Sequence, residues 1–203
     1  MRRRLFRISS NAPLWKRNMV AELERQLRAA RPELYANGLA RRLTVRRDAG
    51  AWNQGVGTFV RARAADIPEG TLLGAYVGDF EDDTGGPYNL EHARVKGPRG
   101  ATWIPVVNGQ LEVYQRKAYQ AAAYNHTCSR PSVYFRSFGV GQLKCKLAFA
   151  KRRLRPNDEL VWNYGSQYVR RFGNLAVLRQ EFPSAHACRC QGGQCPFNSI
   201  LIY

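Results

Sequence analysis

The chain has 203 residues, with 32 Lys+Arg against 15 Asp+Glu, giving a net charge of +17 and an isoelectric point near 10.3. Hydrophobic residues make up 44% and aromatics 11%, enough for a packed core, which excludes a wholly disordered tail protein. No apolar run approaches the ~18 residues of a transmembrane helix, and the charge points to an acidic partner or assembly.

The start, Met1 to Arg7, is basic and lacks the apolar run of a secretory signal, so a reducing intracellular compartment is expected. Residues 1–48 hold 13 Lys/Arg against four acids, so more than half of the excess charge lies there. Arg2, Arg3, Arg4 and Arg7 are read as a basic arm able to meet nucleic acid. Ser10, Asn11 and Pro13 then signal a helix start, Pro32 a stop, and Met19, Leu23 and Leu27 recur as an apolar stripe between them. That stripe predicts a short amphipathic helix docked on the main domain.

From about Leu43 the texture changes to short strand signals broken by Gly, Pro, Asn and Asp. Residues 43–45, 57–60, 72–77, 103–107 and 144–149 read this way. Strand–helix alternation is missing, which argues against a doubly wound parallel sheet. The polar stretch from Asp79 to Arg99 predicts an irregular insert or functional loop.

Four constellations carry chemistry. Gly55-Val56-Gly57 makes a turn between two strand signals, where glycine lets backbone approach a ligand closely. Asn125-His126-Thr127-Cys128 sets an amide, an imidazole and a thiol side by side. Pro156 to Gly165 reads as a turn followed by an alternating strand with Trp162 and Tyr164 on one face. Near the carboxyl end, Cys188, Cys190 and Cys195 form a C-x-C-x₄-C cluster around Gly192-Gly193, favouring zinc over free thiols or oxidative pairing. A fourth ligand must come from elsewhere. Cys128, Cys145 and three histidines are available, and Cys128 is also readable as a nucleophile beside His126.

Taken in order, Gly-x-Gly, Tyr76-Val77-Gly78, Asn125-His126-x-Cys128, Asp158-Glu159-Leu160-x-x-x-Tyr164-Gly165 and Cys-x-Cys-x₄-Cys resemble the SET-domain protein-lysine methyltransferases. The resemblance runs from about Leu43 to Cys195 and includes Phe149-Ala150-Lys151-Arg152 on the approach to the Tyr164 strand. It implies a mainly β fold of small curved sheets with short helices. The Asn-His segment and the Tyr164 strand would be threaded into a pseudoknot. With the basic arm and helix read above occupying 1–40, it implies a SET domain over 41–172 with a variable insert at 79–102, and a post-SET zinc segment over 173–203.

In such enzymes Gly55, Val56 and Gly57 would lay backbone against S-adenosylmethionine. Asn125 and His126 would hold its two ends, with Phe197 as an aromatic wall. Tyr164 would be the catalytic tyrosine, and Tyr76, Trp162 and Tyr164 would line the lysine channel. Cys128, Cys188, Cys190 and Cys195 match a structural zinc site. The implied activity is methyl transfer to a histone-tail lysine on chromatin in a nucleus; from its charge, the amino-terminal arm is expected to contact DNA, and no membrane is expected to be involved. Asp79, Glu81, Asp82 and Asp83 are expected to line the groove for the basic tail. The alternative is a non-catalytic SET-fold protein that binds chromatin or nucleic acid.

Some positions depart from the family pattern. Trp162 stands where Phe or Tyr is usual, which leaves the number of methyl groups open. Ala122 and Ala123 replace the usual Arg and Phe. An extra residue follows Cys128 before Pro131, and no cysteine precedes Cys128, so a pre-SET zinc cluster is not expected.

Overall fold

A computed structural model of the protein describes residues 4–36, 41–46, 57–82, 89–91, 94–109, 120–127 and 130–163. In chain order these form β1 (Phe6–Ile8), α1 (Leu14–Ala30), β2 (Leu43–Arg46), β3 (Gly57–Val60), β4 (Leu72–Ala75), β5 (Gly78–Asp82) and β6 (Asn89–Glu91). There follow β7 (Val95–Lys96), β8 (Thr102–Trp103), β9 (Pro105–Asn108), β10 (Asn125–His126), β11 (Val133–Val140), β12 (Leu143–Ala150) and β13 (Val161–Trp162). The architecture is mainly β, in several small sheets, with one α-helix among the described residues, as the sequence leads one to expect. The chain divides into two compact units.

The first unit comprises Met1–Arg41, Leu72–Ala122 and Phe135–Phe149. Its four-stranded sheet has the order β1-β5-β9-β6. β1 runs parallel to β5, with Phe6 opposite Gly78 and Ile8 opposite Phe80, and β9 runs antiparallel to both β5 and β6. The stretch expected to be an irregular insert therefore begins as an interior strand. Gly-Asp-Phe-Glu-Asp alternates buried and half-exposed residues, and Phe80 turns inward against Phe6 and Trp103 at ring distances of 5.3 and 5.9 Å. Gly78 has a φ of +148°, and a Cβ there would lie 2.0 Å from the Asn108 carbonyl oxygen. Close pairing of β5 and β9 at that point requires glycine.

Helix α1 starts after Pro13 and ends before Pro32, as the punctuation predicts. Its buried residues are Val20, Leu23 and Leu27, so the stripe sits one residue along from Met19 at its amino-terminal end. Burying Leu23 and Leu27 completely contributes about 1.5–3 kcal/mol each before entropy is counted. The helix also grips the first strand by hydrogen bonds. The Glu24 carboxylate accepts the backbone N–H groups of Leu5 at 3.2 Å and Phe6 at 3.1 Å, and Arg28 pairs with it at 3.2 Å. A second sheet has the order β11-β12-β4, with β11 and β12 joined through Gly141 at a φ of +57°. β12 pairs antiparallel with β4, with a register shift at Ala148/Phe149, and buries Cys145.

The second unit comprises Arg42–Thr71, Ala123–Tyr134 and Ala150–Tyr203. β2 and β3 form an antiparallel pair with Leu43 opposite Val60. The segment before β13 extends this pair. Phe59 bridges Glu159, the Val60 N–H donates to the Asp158 carbonyl at 2.9 Å, and Leu160 N–H donates to the Thr58 carbonyl at 2.8 Å. Farther back, Ile67 bridges Leu154 with reciprocal backbone hydrogen bonds.

Candidate functional site

In the second unit, β10 pairs in parallel with β13, so that Asn125 lies opposite Val161 and His126 opposite Trp162. The Thr127 N–H extends the ladder to the Trp162 carbonyl at 3.0 Å. The Asn-His segment and the strand leading to Tyr164, distant in sequence, are therefore brought side by side. Two residues each is short for a strand pair, and side chains reinforce it. The buried Asn125 donates through Nδ2 to the Glu159 carboxylate at 2.7 Å, a charge-assisted bond. The Trp162 indole N–H donates to the Tyr124 carbonyl at 3.2 Å. Tyr124 itself is fully buried, and that burial pushes its phenol well above the ordinary range, so it stays neutral.

Ser132 is a further fixing residue. Its hydroxyl donates to the Glu159 carbonyl at 2.8 Å and accepts the Val161 N–H at 2.9 Å, while its own backbone N–H donates to the Val161 carbonyl at 2.9 Å. A buried serine thus completes the hydrogen bonding of the strand on the side where another strand would lie. Neither Ser132 nor Glu159 is singled out by residue type. The signal available is that Glu159 sits in the same short motif as Leu160 and Tyr164.

Of the site residues read from sequence, Gly57 begins β3 and is buried, Asn125 and His126 form β10, and Trp162 ends β13. Tyr76 lies in the first unit between β4 and β5 and is buried. Its backbone N–H donates to the Lys146 carbonyl at 2.9 Å. The next residue is held by a wholly buried side chain: the Gln120 amide accepts the Val77 N–H at 3.1 Å and donates to the Val77 carbonyl. Gln120 thus acts as a strand would, satisfying both backbone groups beside Tyr76. Gly55, Val56, Cys128, Tyr164, Cys188, Cys190, Cys195 and Phe197 lie outside the described residues. The described residues hold no cluster of metal-ligating side chains.

The charged residues around β5 are arranged differently from the sequence expectation. Arg7 is in strand β1, its guanidinium making two bonds to the Asp79 carboxylate at 2.7 and 2.8 Å. It belongs to a sheet and is not part of a free arm, because Leu5 and Phe6 beside it are buried and anchor the segment. Lys16 reaches Asp82 at 3.1 Å while its ammonium lies 4.9 Å from the Trp103 ring centroid, and Glu81 accepts the Asn108 amide at 2.8 Å. The carboxylates of β5 are thus matched within their own unit, where they were expected to await a basic peptide. Asp83, Arg2 and Arg3 lie outside the described residues.

No family model matches this chain. A 111-residue stretch, 55% of the chain, is 28% identical to a protein of Mycosarcoma maydis named histone-lysine N-methyltransferase, H3 lysine-36 specific. The stretch accounts for 11% of that protein's length, so the chain spans about a tenth of the relative it matches.

Proposed function

We propose that the protein is an S-adenosylmethionine-dependent protein-lysine N-methyltransferase of SET type, with a histone-tail lysine as its substrate. The observation that carries this reading is the parallel pairing of Asn125-His126 with Val161-Trp162, two residues before Tyr164. The partial likeness to a protein named as a histone-lysine methyltransferase supports it independently.

The described residues suit the methyl donor. Gly57 brings buried backbone with no side chain, Asn125 a buried amide, and Glu159 a carboxylate bonded to that amide, a set matched to a ligand with amino-acid and cationic character. S-adenosylmethionine supplies an electrophilic methyl group on a sulfonium sulfur. In this reading Gly55, Val56, Gly57, Asn125 and His126 bind the donor with Phe197 against it. Tyr76 and Trp162 line the channel, and Tyr164 directs its hydroxyl to the reacting centre. The main contribution of the chain is alignment, since the displacement is in-line. A lysine with a solution pKa near ~10.4 is mostly an ammonium at neutral pH. An apolar aromatic channel disfavours that charge and releases the proton, so no strong general base is required.

The same reading gives Cys128, Cys188, Cys190 and Cys195 to one structural zinc ion. Four thiolates make a closed tetrahedral set with no position for water. It places the basic segment and helix at 1–40, the SET domain at 41–172 with its insert at 79–102, and the zinc segment at 173–203. The site of action is then chromatin in a nucleus. Among the described residues no helix is long and apolar enough to cross a membrane.

Radioactive methyl transfer from S-adenosylmethionine to histones is the test. Transfer that is abolished in Tyr164→Phe supports the reading, and absence of transfer to any histone removes the histone substrate. Calorimetry that detects no cofactor binding would favour the non-catalytic alternative.

A further inference from the structure

The described residues of the second unit carry nine Lys/Arg against four acids, and the strand pairing gathers several arginines at one end of it. Arg42 precedes β2 and Arg61 follows β3, and the Arg61 N–H donates to the Arg42 carbonyl at 2.8 Å. On the other side of β3 the turn from Arg155 to Asp158 is attached at Val60, whose carbonyl accepts the Asn157 N–H at 3.0 Å. Three backbones therefore end together, within about 10 Å at ordinary strand spacing. Arg63 lies in the turn that follows Arg61, closed by the Ala64 N–H donating to the Arg61 carbonyl at 3.0 Å.

These arginines differ in what they are tied to. Arg152 is paired with Asp158 at 2.7 Å and Arg153 with Asp66 at 2.6 Å. The Arg61 Nε donates to the Leu43 carbonyl at 2.9 Å, which makes it part of the framework. Arg42, Arg63 and Arg155 are exposed and form no ion pair with a described residue. The large hydrophobic residues exposed among the described residues, Leu14 and Ile104, both lie in the first unit. An acidic protein partner would want an apolar centre to its interface, which the described residues at this end of the second unit do not offer. A nucleic-acid backbone asks only for cations aimed at phosphates.

We infer that Arg42, Arg63 and Arg155 form a docking face for the phosphate backbone of duplex nucleic acid. This is separate from the proposed methyl-transfer reading and stands or falls without it, since binding is measured in the absence of cofactor. The face is built by β2, β3 and the 155–158 turn and is distinct from the amino-terminal arm, where composition suggests nucleic-acid contact.

The experiment is titration of the full chain with a fluorescent 30-base-pair DNA duplex over a series of KCl concentrations. Replacing all three arginines with glutamine should make the plot of log affinity against log salt shallower by about two to three units, at ~0.9 for each phosphate no longer neutralised. Affinity at 100 mM salt should fall at least tenfold, while the triple lysine variant should keep most of it. An unchanged slope in the glutamine variant would overturn the inference. So would equal loss in the lysine variant, a loss seen only on replacing Arg2, Arg3 and Arg4, or a loss confined to poly-glutamate binding. Matching circular-dichroism melts for the two variants show that folding is not what differs.

Discussion

The Asn125 amide and the Glu159 carboxylate meet at 2.7 Å across 34 residues of chain. Two segments that share only two paired residues each are joined there by a charged hydrogen bond, in addition to Ser132 and the Trp162 indole. Removing the carboxylate would leave a buried amide without that acceptor, at about 1.5–3 kcal/mol. Glu159→Ala is accordingly expected to lower stability by that amount in urea unfolding and, if Asn125 binds the methyl donor, to weaken cofactor affinity about tenfold by calorimetry. Glu159→Gln keeps an acceptor oxygen and should retain more of both.

The Arg7–Asp79 pair ties β1 to β5 with two parallel bonds, yet the side chains are 39% and 40% exposed. Solvent screening reduces such a pair to about 0.5–1 kcal/mol even with good geometry. A double-mutant cycle of Arg7→Ala and Asp79→Ala should give a coupling energy in that range, decreasing with added salt. A coupling of zero would mean that Leu5, Phe6 and the Glu24 bonds hold the strand without help from the ion pair.

Residues 43–45, 57–60 and 144–149 are legible as strands because apolar residues run together and sharp turn residues bound them. β5 is not legible that way, since three acids in five residues signal loop. Tertiary partners on both sides override that preference, with Phe80 alone supplying the inward anchor. β1 is obscured by Arg7 and the arginines that precede it, which outweigh the buried pair Leu5-Phe6. For the site, the family resemblance implies that Asn125-His126 lies near the strand that holds Trp162. The residues that fix it there, Ser132 and Glu159, and Gln120 beside Tyr76, are polar groups whose importance comes from satisfying buried partners, and no local spacing announces them.

Gly78 offers a sharp test of the β5–β9 pairing. An added methyl group would meet the Asn108 carbonyl oxygen at 2.0 Å, against a backbone at φ +148° that L-residues avoid. Gly78→Ala should cost roughly 2–4 kcal/mol from overpacking and strain together. In a domain of this size that corresponds to a fall of about 5–15 °C in melting temperature. Gly141→Ala, with open space around its Cβ position, should cost less and serves as the comparison.

Cys145 is buried in β12, and burial pushes its thiol up to about 12, with the Glu24 carboxylate acting in the same sense. Little thiolate therefore exists at pH 8, and the sulfur is shielded besides. Alkylation of Cys145 by iodoacetamide in the native protein, followed by peptide mass spectrometry, should be roughly three orders of magnitude slower than in urea. Rapid native labelling would mean that the strand opens readily or that the thiol is not enclosed as described.

The zinc assignment is open to a measurement independent of activity. If Cys128, Cys188, Cys190 and Cys195 share one ion, the purified chain should contain one zinc per molecule by elemental analysis. Cys188→Ser should lose most of it, because three thiolates bind zinc far less tightly than four. Chelation at neutral pH should then release the metal together with protection of the 173–203 segment in hydrogen exchange, leaving exchange in β5, β9 and β12 unchanged. The distinction matters because Cys145, already enclosed in its own strand, cannot substitute as a ligand without breaking that sheet. Zinc retained in the Cys188→Ser and Cys190→Ser variants alike would exclude the cluster and return these cysteines to free thiols or oxidative pairing.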